Sequence, residues 1–129
     1  IRDRSMAARG VDGSIVNIAS VQGAVARAET VTYATSKAGM RGLTISMAVA
    51  LGPMGIRVNA VAPGTIATSL NAVRWKQPDI RRGIEDVTPL GRLGVPRDVG
   101  VATAYLASPR SAFITGAILP VHGGRTLID

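Results

Sequence analysis

Apolar residues fall in blocks along this 129-residue chain, and the blocks alternate between two kinds. Ile15-Val16-Asn17-Ile18-Ala19 is apolar on both sides of the pleat except at Asn17, as in a parallel strand covered by helices on each face. The pattern predicts a strand over 14–19, entered by a turn at 10–13. A polar loop over 22–32 follows, then a helix over 33–51. Gly52 and Pro53 end that helix, the glycine offering a left-handed cap and the proline unable to continue. A second strand is expected over 56–61. Strand, helix and strand joined by a crossover of this length form a βαβ unit with parallel strands.

After Pro63 and Gly64 the chain turns irregular and polar as far as Asp79, with short helical stretches over 68–75 and 80–86. Pro96 and Asp98 start a helix over 97–108. A last strand covers 117–121, where Pro120 has no N–H to donate and so favours a sheet edge. The opening residues 1–9 read as the tail of a helix. There is no internal repeat and no second domain.

This topology gathers candidate chemistry at one place. Ligands of open α/β sheets bind beyond the carboxyl ends of the strands. Ser20 follows the first strand, and Pro63 and Gly64 follow the second. Tyr33 and Lys37 lie four apart near the start of the intervening helix and therefore share one face. A free phenol ionises near pH 10 and is a poor proton-transfer group at neutrality. A lysine charge about 4 Å away, at an effective dielectric of about 20, favours the phenolate by about 4 kcal/mol. Taken alone, a Tyr-x-x-x-Lys pair equally describes a half-buried tyrosine beside a solvated lysine, and Ser20 equally describes a turn cap.

Further motifs change that balance. They are Asn59-Ala60-Val61-Ala62-Pro63-Gly64, Pro89-Leu90-Gly91-Arg92-Leu93-Gly94-Val95-Pro96 with Asp98-Val99, and the closing Gly123-Gly124. With Ser20, Tyr33 and Lys37 in order, the chain from Gly13 to Gly124 resembles the classical branch of the short-chain dehydrogenase/reductase family, among its ketoacyl-reductase-like and sugar-dehydrogenase-like members. The resemblance implies an α/β, doubly wound parallel-sheet Rossmann fold, here its carboxy-terminal half only. That half comprises the βαβ unit, a lid region over 70–85, a helix and a final edge strand. It implies NAD or NADP as cofactor and a small-molecule alcohol or ketone as substrate. Ser20, Tyr33 and Lys37 are then catalytic: Ser20 holds the carbonyl oxygen and Tyr33 donates or accepts the proton. Tyr33, Lys37, Pro63, Gly64, Ile66 and Thr68 contact the cofactor, Thr68 through the amide or a phosphate. The helix carrying Ala34, Ala38 and Gly42, and the edge strand around Ile118, imply a homodimer or homotetramer.

The glycine-rich G-x-G-x-x-G turn that holds a pyrophosphate in such folds is missing from the sequence. The chain therefore reads as a single partial domain over 1–129, the catalytic half of a dehydrogenase without its dinucleotide-binding half, inactive as this fragment alone. A non-enzymatic remnant kept for subunit association is the first alternative. The formal charge of +7 raises a second, a basic nucleic-acid-binding module. Against it, the thirteen arginines are scattered and only four aromatic residues could stack on bases. Cysteine is absent and His122 is the only histidine, which leaves no ordinary zinc ligand set. No apolar stretch reaches the roughly 20 residues a membrane span needs, so a cytoplasmic enzyme is the default. Asn17 and Asn59 read as buried amides satisfying backbone groups, the methionines as core or interface filler, and His122 as a structural or interface residue. Trp75 reads either as a pocket wall or as a packed indole.

Overall fold

A computed structural model describes residues 12–25 and 28–126. The turn expected at 10–13 falls largely outside these residues. So do the helix tail at 1–9 and Met6.

Three parallel strands form one sheet in the order β1 (Gly13–Ile18), β2 (Ile56–Pro63), β3 (Ile118–Val121). β1 pairs with β2 from Gly13 opposite Ile56 to Ile18 opposite Val61. β3 joins from Ile118 opposite Ala60 to Val121 opposite Pro63. The crossover between β1 and β2 is the 21-residue helix α1 (Val31–Leu51). Beyond β2 lie the short helices α2 (Ala72–Trp75) and α3 (Pro78–Glu85), then α4 (Pro96–Ala107).

β2 is the centre of the core, and its alternation shows why. Ile56, Val58, Ala60 and Ala62 face α1 and are fully or almost fully buried. Ile56 and Val58 pack with Ala48, Ile15, Met47 and Leu51. Ala60 and Ala62 pack with Ala19, Met40 and Ile118. On the opposite face, Arg57 and Asn59 turn toward α4 and the segment after it. Arg57 donates to Leu106 O at 2.9 Å, and Asn59 Nδ2 to Ile114 O at 2.8 Å. Asn59 Oδ1 accepts from Ala117 N, so this buried amide stitches β2 to the approach of β3. Asn17 differs from expectation: it donates to the Thr44 hydroxyl on α1, not to backbone.

Three local expectations are corrected. Gly52 is right-handed (φ −53°) and opens a 3-10 turn, Gly52–Met54, in which Pro53 needs no N–H. The left-handed residue is Gly55 (φ 71°). Met54 is exposed, whereas Met40 and Met47 fill the core as expected. β1 is only half-buried along its length, because among the described residues only β2 pairs with it. Pro120 is exposed and sits on the other outer strand of the described sheet, as its missing donor requires.

Two motifs distant in sequence touch. Gly123 and Gly124 have φ of 64° and 88°, and a Cβ on either would come within 3 Å of Thr88 or Pro89. Leu90 N donates to Gly123 O. The glycine pair therefore lets the 88–90 segment lie against the end of β3.

Candidate active site

The residues singled out from sequence meet at the carboxyl ends of β1 and β2. A cleft of about 360 Å³ is lined by Ser20, Tyr33, Lys37, Pro63, Gly64, Ile66 and Thr68, with Ile18, Ala19, Pro96 and Val99 completing its walls. All seven candidate side chains or backbone positions thus share one space.

Ser20 is buried just beyond β1, held by the bond from Ala19 N to Val61 O. Its Oγ accepts from Gln22 N at 3.2 Å and caps the 3-10 turn Val21–Gly23. The turn-capping role is therefore real, and it leaves the Ser20 hydroxyl hydrogen available to a ligand. Gly23 presses on α1: a Cβ there would lie 2.8 Å from the Lys37 carbonyl carbon and oxygen. This contact sets how close the Ser20 turn comes to the helix.

Tyr33 occupies the first turn of α1 and is about half exposed. Lys37, one helical turn on, donates from Nζ to Ile18 O at 2.9 Å. The same ammonium lies 5.7 Å from the centroid of the Tyr33 ring. Lys37 is thus pinned between β1 and the phenol, not trailing in solvent, and two of its three N–H donors remain for a ligand. Ser36 turns its hydroxyl back to Tyr33 O.

The loop after β2 is clamped from two sides. Gly94 N donates to Thr65 O and Ala67 N to Gly94 O, a parallel bridge of Ile66 with Gly94. The Gly94 side is fixed in turn by Asp98, whose carboxylate takes a fork from Arg92 (2.8 and 3.0 Å) and the N–H of Val95 at 2.8 Å. The Arg92 hydrogen bond, aided by Val95 N–H, lowers the Asp98 pKa to about 2. From the other side, Asn71 donates to Ile66 O at 3.2 Å and accepts from both Thr68 N and Thr68 Oγ1 at 2.8 Å. Trp75 Nε1 also donates to Asn71 Oδ1. Asn71 and Gly23 carry no motif that marks them in the sequence, and Arg92 and Asp98 lie in the 89–99 motif without any sign there that they pair. Each acts through a contact that only the fold creates.

A larger cavity of about 660 Å³ lies across the same loop, with Ile66 on both walls. It holds Arg97, Leu90 and His122 but none of Ser20, Tyr33 and Lys37. His122 has both ring nitrogens engaged: Nδ1 accepts from Gly124 N, and Nε2 meets Thr126 Oγ1, each at 2.9 Å. It is a structural histidine in this arrangement. Trp75 lines neither cavity and is a packed indole with the Arg74 guanidinium 5.6 Å from its ring. Among the described residues no cluster of three or more His, Cys, Asp or Glu could hold a metal ion, and no helix is long and apolar enough to cross a membrane.

Comparison with known proteins agrees with this architecture. The sequence profile of the family described as enoyl-(acyl carrier protein) reductase matches residues 2–126. The chain is 41% identical over 119 residues to 3beta-hydroxysteroid dehydrogenase 1 of Eggerthella lenta, covering 92% of this chain and 46% of that protein. It is 46% identical over 125 residues to cis-4-hydroxycyclohexanecarboxylate dehydrogenase of Sinomonas cyclohexanicum, covering 97% and 49%. Among solved structures, 4-hydroxyisoleucine dehydrogenase complexed with NADH superposes with a TM-score of 0.94 at 35% identity, over 98% of this chain and 52% of that one. Gluconate 5-dehydrogenase from Burkholderia cenocepacia J2315, in complex with NADP and tartrate, gives a TM-score of 0.90 at 37% identity over 98% and 49%. The chain spans about half the length of these relatives. By profile, sequence and fold, it belongs to the short-chain dehydrogenase/reductase family.

Proposed function

We propose that residues 1–129 are the catalytic half of an NAD(P)-dependent oxidoreductase that interconverts a secondary alcohol and a ketone. In this reading the dinucleotide-binding half lies outside these residues. The observation that carries it is the convergence of Ser20, Tyr33, Lys37 and the 63–68 loop on one cleft. A nucleic-acid module would have no use for such a convergence.

The donor set fits the nicotinamide end of a dinucleotide. Thr68 gives its hydroxyl hydrogen to Asn71, so it offers a ligand only lone pairs. That suits the amide N–H of a carboxamide and not a phosphate oxygen. Lys37 retains two donors for ribose hydroxyls after its bond to Ile18 O. When bound, the dinucleotide supplies or takes up the hydride. The chain's own residues manage the substrate oxygen. Ser20 donates its free hydrogen to that oxygen and holds it beside Tyr33. In reduction the Tyr33 hydroxyl passes its proton to the oxygen, and in oxidation it takes the proton back. Lys37 puts positive charge beside the phenol, where negative charge develops as the proton leaves.

Association of copies accompanies this reading. Ala38, Gly42, Ile45 and Val49 follow one another at spacings of four, three and four on α1, and all four are exposed. Beyond the adjoining backbone of its own helix, a Cβ built on Gly42 would meet nothing within 4 Å among the described residues. This face supports a homodimer or homotetramer through α1.

The test is direct. The intact protein should oxidise NADH or NADPH with members of a ketone panel, and residues 1–129 expressed alone should not, for want of a held cofactor. An intact protein silent on every ketone and on the matching alcohols would overturn the proposal.

A further inference from the structure

The geometry points to Asn71 as a positioning residue that sets the chemical polarity of Thr68 and ties the loop carrying it to the helix carrying Trp75. This rests on the cofactor reading above. A single carboxamide makes all the relevant bonds. Its oxygen accepts from Thr68 N, Thr68 Oγ1 and Trp75 Nε1, and its nitrogen donates to Ile66 O. The amide orientation follows from these partners, since N–H and O–H donors require the oxygen and the Ile66 carbonyl requires the NH2 group.

The consequence for Thr68 is specific. A free threonine hydroxyl rotates and can donate or accept as its ligand demands. With its hydrogen committed to Asn71, Thr68 Oγ1 is an acceptor in the cleft, and an ordered one. A ligand that brings an N–H is welcomed. One that brings an anionic oxygen meets lone pairs. Asn71 itself is not among the residues lining the cleft, so it acts through Thr68.

The second consequence is mechanical. Asn71 closes the 3-10 turn Ser69–Asn71 and immediately precedes α2. Through Trp75 it joins the cofactor-side loop to the first helical turn of the segment over 70–85. Ile66 is thereby held at two points, by Asn71 on its carbonyl and by the bridge to Gly94. Loss of Asn71 leaves only the second.

The test is a double-mutant cycle in the intact protein. Dinucleotide affinity is read by NADH or NADPH fluorescence, and backbone hydrogen exchange is read without ligand. Asn71→Ala should weaken dinucleotide binding by about tenfold, the loss of one oriented hydrogen bond. Thr68→Val should do the same. The double variant should be no more than about twofold weaker than either single, because both changes remove one function. Exchange over 66–71 should quicken in Asn71→Ala. Trp75→Phe should quicken exchange over 72–76 while leaving dinucleotide affinity within about twofold of wild type. Losses in the double variant that multiply to about a hundredfold would overturn the positioning role. So would unchanged exchange in Asn71→Ala, a comparison that holds even if that variant binds no ligand. Wild-type protein that binds neither dinucleotide would overturn the functional reading and this inference together. Wild-type binding with an unaffected Asn71→Ala would overturn the inference alone.

Discussion

Replacing Arg57 by Met tests how the fold is held together behind the cleft. From β2 its guanidinium reaches four acceptors at the end of α4: Leu106 O at 2.9 Å, Ser111 Oγ at 3.0 Å, Ser108 O at 3.1 Å and Ile114 O at 3.3 Å. A charged donor there answers the partial negative charge of a helix carboxyl end, an effect of up to about 2 kcal/mol when partly buried. Four charge-assisted bonds at about 1.5–3 kcal/mol each would suggest a far larger loss. The structure argues against that sum. Leu106 O also accepts from the Ser14 hydroxyl, Ser108 O from Ser111 N, and Ile114 O from Asn59 Nδ2. No carbonyl is orphaned when Arg57 goes, so the full desolvation penalty does not apply. Nη1 also divides itself among three acceptors. A destabilisation of about 2–3 kcal/mol is therefore expected. Urea denaturation of the intact protein at fixed concentration should show a lower midpoint with an unchanged slope. Arg57→Lys, a point charge that cannot fork, should recover only part of the loss. A loss for Arg57→Met below about 0.5 kcal/mol would refute the reasoning.

Three further outcomes follow from the same geometry. The Asp98 pKa is lowered to about 2, below the unfolded value of about 3.9, so its contribution to stability is complete above about pH 4 and is lost as pH falls toward 2. Asp98→Asn should flatten that acid limb of a melting-temperature profile, and an unchanged limb would contradict the assignment. Gly23→Ala forces a Cβ to 2.8 Å from Lys37 backbone, which cannot yield as a side-chain tip would, so a cost of about 1–3 kcal/mol and a fall in kcat are expected. A variant with wild-type melting temperature and kcat would show that the turn is free to move. Val49→Glu places a charge on the exposed apolar face of α1 and should reduce the assembled mass measured by light scattering, whereas an unchanged mass would remove α1 from the interface.

What was legible in the sequence was the part that local chemistry dictates. Apolar runs of strand length marked β1 and β2, of which β2 is the one buried along its length here, and the crossover between them marked α1. Proline at 96 and aspartate at 98 marked the start of α4, where the fixed φ of one and the capping oxygen of the other are both used. The gathering of Ser20, Tyr33, Lys37, Pro63 and Gly64 followed from parallel topology and the rule for ligand sites in open sheets, and Ile66 and Thr68 were added by the family resemblance. What escaped was set by tertiary contact. Gly52 and Gly55 are equally able to adopt a left-handed conformation, and only the path into β2 selects the second. Arg57 reads as a polar interruption of a buried strand until the end of α4 is seen above it. Asn71 and Trp75, four apart in a polar stretch, show no sign that one amide organises the loop after β2. Met54 looks like core filler by composition, yet lies on an exposed turn.

The central claim is that Tyr33 moves the proton in a cleft built by Ser20, Lys37 and the 63–68 loop. Tyr33→Phe in the intact protein examines it most directly, since the phenol is about half exposed and its ring can remain in place without the hydroxyl. The account predicts a fall in kcat of about 10³-fold or more, with dinucleotide affinity within about threefold and the melting temperature within about 2 °C of wild type. Turnover at a wild-type rate in that variant would contradict it.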